Sequence, residues 1–214
     1  MWITGFKWLG DKAISLRGSG TPVIFSYEEA LGYCIGDVIC DKDGISAAAV
    51  LYELAQTLRD DKGMTIRGYL QQLYATYGEF VSYNSYVVSH DKAVTERIFA
   101  RLRGPDDLRT YWSQCAGQAV VSVHDVTTGY DSSAPDGCST LPRTPDSHMI
   151  MFEFDNGVSV TLRTSGTEPK IKFYTEIAGA PGRPRSDVEA ALHLFVDLLV
   201  DEMLQPHLNG LLRP

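Results

Sequence analysis

Arg163-Thr164-Ser165-Gly166-Thr167-Glu168-Pro169-Lys170-Ile171-Lys172 is the stretch on which the reading of this chain turns. Before it stands Val158-Ser159-Val160-Thr161-Leu162, and after it comes Ile171-Lys172-Phe173-Tyr174-Thr175-Glu176-Ile177. Both alternate apolar and polar residues as strands do, so the decapeptide is a loop at a strand end. Its chemistry suits an anion. The Arg163 guanidinium is a planar fork that meets phosphate oxygens two at a time. Ser165 and Thr167 bring hydroxyls, and Lys170 and Lys172 add positive charge. Gly166 permits a positive φ, which lets successive backbone N–H groups converge on an anion. A plain hairpin turn is the competing reading of any Ser-Gly-Thr loop. An arginine, two hydroxyls, a glycine and two lysines in one short loop favour phosphate.

Around the loop, residues 78–214 read as an α+β domain, an antiparallel sheet with helices. Bulky residues alternate over 79–89, and further strands are expected over 119–123 and 148–154. Asp155-Asn156-Gly157 is a strong hairpin turn delivering the strand that leads to the loop. Amphipathic helices are expected over 91–102, with Asp91 as cap, and over 186–204. The stretch from Asp125 to Ser147 reads as a long irregular loop, functional or disordered. Residues 1–77 read as part of an α/β domain. A helix is expected over 12–17. Val23-Ile24-Phe25-Ser26-Tyr27 is β-branched and aromatic, hence a buried strand, and it runs into the adjacent carboxylates Glu28 and Glu29. Helices follow over 45–59, capped by Asp43 or Ser46, and over 65–77, capped by Thr65. Carboxylates at the end of such a strand can accept hydrogen bonds from sugar hydroxyls, or simply be solvated surface charges.

A formal net charge of −8 argues against nucleic acid or an anionic membrane as partner, so any phosphate must be held by local positive charge. Cys34, Cys40, Cys115 and Cys138 form no Cys-x-x-Cys pair and have no His cluster beside them, which speaks against zinc. They read as reduced thiols of a cytoplasmic protein. The sequence has no apolar run long enough to span a bilayer.

The Arg163–Pro169 stretch closely resembles the phosphate-binding loop of the α-D-phosphohexomutases. Glu28-Glu29-Ala30-Leu31-Gly32 lies where that family carries its sugar-binding loop, and Asp41-Lys42-Asp43-Gly44 matches its Lys-Asp-Gly element. The family's first glycine is Tyr27 here and its serine is Ala30, which removes one hydroxyl from the sugar site. The two stretches look most like the branch that holds phosphopentomutase-type phosphoglucomutases and glucose-1,6-bisphosphate synthases. The resemblance runs from about Thr4 to the terminal helix. It implies the later part of a third domain in 1–77 and the C-terminal domain in 78–214. It further implies substrate binding by Glu28, Lys42, Arg163, Ser165, Gly166, Thr167 and Lys172, with Lys42 facing the active cleft as the one catalytic candidate in this chain, neutralising charge or taking part in proton transfer.

Family members also carry a phosphoserine loop and an Asp-x-Asp-x-Asp-Arg metal loop, and neither occurs here. The chain therefore reads as a fragment, inactive alone, of an enzyme that interconverts a sugar 1-phosphate with a sugar 6- or 5-phosphate. The reaction would run through a phosphoserine enzyme, a glucose 1,6-bisphosphate-type intermediate or activator, and Mg²⁺ bound outside this chain. A non-catalytic phosphosugar-binding module and a glucose-1,6-bisphosphate synthase are the alternatives.

Overall fold

The computed structural model describes residues 6–28, 31–104 and 110–214, leaving aside the side chain of Lys7. Glu29 and Ala30 of the expected sugar loop lie outside the described residues, as does Thr4. The chain divides into two compact units, residues 1–72 and 73–214.

In the first unit, helix α1 spans Phe6–Gly18, longer than the 12–17 expected. Strand β1 (Phe25–Glu28) pairs antiparallel with β2 (Gly32–Ile35). Helix α2 (Gly44–Lys62) starts where Asp43 accepts from the N–H groups of Ile45 and Ser46, at 3.0 and 3.2 Å, so Asp43 is the cap. It stops at Gly63 in the left-handed conformation. Helix α3 (Ile66–Tyr77), whose last five residues belong to the second unit, begins where the Gly68 N–H donates to Thr65 Oγ1, the expected cap. The α/β character shows in the strand-then-helix order, and the sheet itself is a two-stranded antiparallel ribbon.

The burial expected of Val23–Tyr27 is corrected. Ile24 is 77% exposed, Phe25 51% and Tyr27 59%. The opposite face of the ribbon, with Cys34 and Gly32, is the covered one. A β-branched and aromatic run states a preference for the pleated backbone, and what packs on it decides burial.

The second unit is the expected antiparallel sheet with helices. Its strands are β3 (Phe80–Val88), β4 (Gln114–Cys115), β5 (Gln118–Asp125), β6 (Tyr130–Asp131), β7 (Met149–Phe154), β8 (Val158–Thr164) and β9 (Lys170–Ala178). Their order is β3-β9-β8-β7-β5-β4, with β6 beside β5. Helix α4 (Lys92–Arg103) is capped by Asp91. Helix α5 (Arg185–Leu199) runs into a π-helical turn over Val200–Leu204, and the short α6 (Pro206–Asn209) follows. One face of the sheet gives Val81, Val87, Ile150, Phe152, Phe154, Val158, Val160, Leu162, Ile171, Phe173 and Ile177 to a core shared with Ile98, Phe99 and Leu102 of α4 and Val188, Leu192, Phe195 and Leu199 of α5.

The irregular stretch after β5 is ordered by hydrogen bonds of its own. Thr127 Oγ1 donates to Ser147 O at 3.0 Å and accepts from Met149 N at 2.9 Å, while Thr144 N donates to Val126 O. The chain thus returns to the sheet within a few residues of where it left.

Candidate functional site

The loop that organises the sequence is the tip of the β8–β9 hairpin. Ser165 N donates to Lys170 O at 2.9 Å and closes it, and Lys170 N donates to Glu168 O at 2.7 Å within it. Register places Arg163 of β8 directly opposite Lys172 of β9. Side chains of directly paired residues lie on one face, and like charges so placed repel. Both are half-buried, and neither side chain makes a hydrogen bond or ion pair among the described residues. The N–H groups of Gly166 and Thr167 and the hydroxyls of Ser165 and Thr167 are likewise free of partners among the described residues. The loop therefore presents a cluster of unengaged donors beside two cations whose side chains form no ion pair, although Lys172, behind the Lys170 hydrogen bond, helps lower the Glu168 pKa.

Gly166 differs from expectation, because it does not take the left-handed φ. Its role here is spatial: a Cβ would meet nothing within 4 Å, and its absence keeps backbone N–H groups open to close approach. Lys170, expected only as nearby charge, is already engaged. Its Nζ sits 2.9 Å from Glu168 Oε1 and 4.1 Å from the ring centre of Tyr86 on β3. The hydrogen bond with Glu168 raises the Lys170 pKa and lowers that of Glu168, so both stay charged and cancel locally. The net positive charge of the tip is left to Arg163 and Lys172.

In the first unit, Lys42 Nζ lies 2.7 Å from Glu28 Oε1. The two meet because β1 and β2 pair Glu28 with Gly32. A Cβ on Gly32 would stand 2.9 Å from both Glu28 Cγ and Lys42 Cδ, so any larger residue there would push these two side chains aside. The bond to Glu28 raises the Lys42 pKa, which keeps the ammonium charged and favours charge neutralisation over proton acceptance. Glu28 and Lys42 thus come together in one unit, and Arg163, Ser165, Gly166, Thr167 and Lys172 in the other. Among the described residues no group of three or more His, Cys, Asp or Glu side chains is arranged to hold a metal ion, and no helix is long and apolar enough to cross a membrane.

Sequence reasoning missed a second cluster beneath the loop. Asp125, fully buried at the end of β5, accepts from Arg103 Nε at 2.6 Å and from the Tyr111 hydroxyl at 2.9 Å. Arg103 Nη1 lies 3.0 Å from His148 Nδ1, and His148 Nε2 lies 2.9 Å from Glu96 Oε2. In the sequence these are an end-of-helix arginine, a scattered histidine and a loop acid. Pairing of β5 with β7 and packing of α4 on the sheet assemble them, and local periodicity cannot show that.

No family model matches the chain. It is 42% identical to the human glucose 1,6-bisphosphate synthase over 98% of this chain and 34% of that protein. It is 38% identical to the human phosphopentomutase over 95% of this chain and 33% of that protein. It thus spans about a third of the length of these curated relatives. Among solved structures, an exocytosis-sensitive phosphoprotein of Paramecium, parafusin, described as a phosphoglucomutase in its open form, superposes with a TM-score of 0.67. That match covers 99% of this chain and 34% of the other, and at 17% identity it speaks to the fold alone.

Proposed function

This chain fits the phosphohexomutase family as its C-terminal part, and from that premise we propose that it is the substrate-recognition portion of a phosphosugar mutase. The parent enzyme interconverts a sugar 1-phosphate with a sugar 6- or 5-phosphate through a phosphoserine and a bisphosphate intermediate. The observation that carries the reading is the cross-strand pair of Arg163 and Lys172 beside a loop of unengaged donors. A dianionic phosphate offsets their mutual repulsion and accepts from the fork, the hydroxyls and the backbone together.

In this division of labour the β8–β9 tip holds the phosphate that is not reacting, and Glu28 receives sugar hydroxyls. Lys42 keeps that carboxylate in place and offsets its charge. Phosphoryl transfer is catalysed chiefly by positioning and by opposing the charge of the moving group. This chain supplies positioning. Mg²⁺ belongs to the chemistry of the parent enzyme, and the described residues offer it no ligand cluster, so no step here is assigned to it. Synthesis of a sugar bisphosphate would use the same phosphate grip, and the 42% identity to the human synthase supports that second reading.

Titration of the 214-residue chain with glucose 1-phosphate, followed by loop amide resonances, tests the assignment. Each charge-assisted hydrogen bond contributes roughly 1.5–3 kcal/mol, so Arg163→Ala is expected to weaken binding about ten- to a hundredfold. Arg163→Lys is expected to fall between, keeping charge and losing the fork. Equal affinity of all three proteins, each folded, would remove the phosphate site from this loop.

A further inference from the structure

We propose that His148 is a positioning residue for the phosphate loop: it pins the base of that loop, at Thr164, to helix α4. The inference rests on the phosphate-binding reading of the β8–β9 tip.

The link is made of three contacts. His148 N donates to Thr164 Oγ1 at 3.0 Å, Thr164 N donates to His148 O at 3.0 Å, and Thr164 Oγ1 reaches the same carbonyl at 3.4 Å. Thr164 is the last residue of β8, with Arg163 before it and Ser165 after it. Whatever fixes His148 therefore fixes the backbone between two proposed phosphate ligands.

The imidazole is held on three sides. It stacks on Phe99 of α4 at 4.4 Å between ring centres and 11° between planes. Arginine only donates and carboxylate only accepts, so the two polar contacts dictate a single tautomer. Nδ1 is bare and accepts from Arg103 Nη1, and Nε2 carries the proton and donates to Glu96. Arg103 is fixed in turn by the fully buried Asp125, which also binds the N–H groups of Thr127 and Thr128. The chain of contacts runs from the interior of the sheet, through Arg103 and His148, to the tip of the hairpin. Burial first, and Arg103 second, lower the His148 pKa, in keeping with a neutral ring.

Because the ring is neutral, replacing it changes no charge near the anion, and any loss of affinity reports geometry. The probe is sulfate, at a pH above the histidine range. His148→Phe keeps the stack on Phe99 and removes both polar contacts. Its sulfate affinity is expected to fall about three- to tenfold. His148→Gln, with an acceptor and a donor on one amide, is expected to restore part of it. Thr164→Val removes the two hydroxyl contacts of the link, keeps the backbone bond from Thr164 N to His148 O and leaves the buried network untouched, and it carries the test if His148→Phe does not fold. Thr164→Val is expected to lose a similar factor, and in the double variant the two losses are expected not to add, as for residues acting through one contact. Arg163→Ala serves as control. Wild-type affinity in His148→Phe and Thr164→Val, with Arg163→Ala impaired, overturns the positioning role and leaves the phosphate site standing. Additive losses in the double variant also overturn it. Wild-type affinity in Arg163→Ala removes the phosphate site, and the inference with it.

Discussion

Asp125 shows how much a single side chain can organise. Its carboxylate takes Arg103 Nε and Nη2, the Tyr111 hydroxyl, and the N–H groups of Thr127 and Thr128. Burial, first among the causes, pushes the Tyr111 hydroxyl well above the ordinary tyrosine value, so it stays protonated and donates. Removing one partner of a buried ion pair leaves the other uncompensated, so Asp125→Ala is expected to destabilise the second unit by about 3–5 kcal/mol. Urea denaturation measures this, and a loss under about 1 kcal/mol would mean that solvent reaches Arg103. His148 adds a pH dependence. Its folded pKa lies below the unfolded one because of burial, with Arg103 adding to the effect and Glu96 and Asp125 opposing it. Protonation therefore favours the unfolded chain. The stabilisation is complete above the unfolded value of about 6.5 and is lost as pH falls through the folded value. His124, lowered mainly by burial, acts in the same direction. The urea midpoint is thus expected to fall on acidification, less steeply in His148→Phe than in the wild type. Parallel slopes would show that His148 does not titrate differently on folding.

At the scale of elements, Gly78 is the joint between α3 and β3. It takes φ 91°, and a Cβ there would stand 1.8 Å from the Gly179 carbonyl oxygen. Glu79 O and Gly179 N form a 2.7 Å bond at the same place, closing β3 on β9. The backbone strain alone makes Gly78→Ala cost roughly 1–3 kcal/mol, and the clash adds to it. An unchanged melting temperature would refute this account. Helices and their caps were legible in the sequence, because Asp43, Thr65 and Asp91 act within a turn of their own chain. The hairpin carrying Arg163 was legible for the same reason, since alternation and loop chemistry are local. What stayed hidden depends on partners far along the chain. Nothing near Phe25 says that its face is exposed. Nothing near Tyr86 says that it lies opposite Lys172, and nothing near His148 announces Arg103.

Taken whole, the two units differ in how much they bury. Phe6, Ala13, Cys34 and Leu58 are the buried apolar residues described in the first, while the second holds the large cluster around Phe99, Phe152 and Leu162. Apolar burial is the main favourable term in folding. Amides of α2 are accordingly expected to exchange faster than those of β7, β8 and β9, and uniform protection across the chain would contradict this. The purified 214-residue chain is expected not to convert glucose 1-phosphate to glucose 6-phosphate, since these 214 residues contain no counterpart of the phosphoserine loop of the family they resemble. Turnover above a buffer control would show that a nucleophile is present after all.

The place of β8 and β9 in the sheet has a consequence for changes of length. Both are interior strands, β9 paired along its whole length to β3 and along most of it to β8. Side chains alternate between faces with a period of two, so a slip of one residue would exchange the apolar face with the one carrying Arg163 and Lys172. An in-frame codon inserted between Ser165 and Pro169 can be absorbed by the tip, whereas one inserted at Val160 or Phe173 shifts the reading of a strand locked on both sides. The hairpin is thus permissive to insertion at the four junctions from Ser165 to Pro169 and closed to it on either flank.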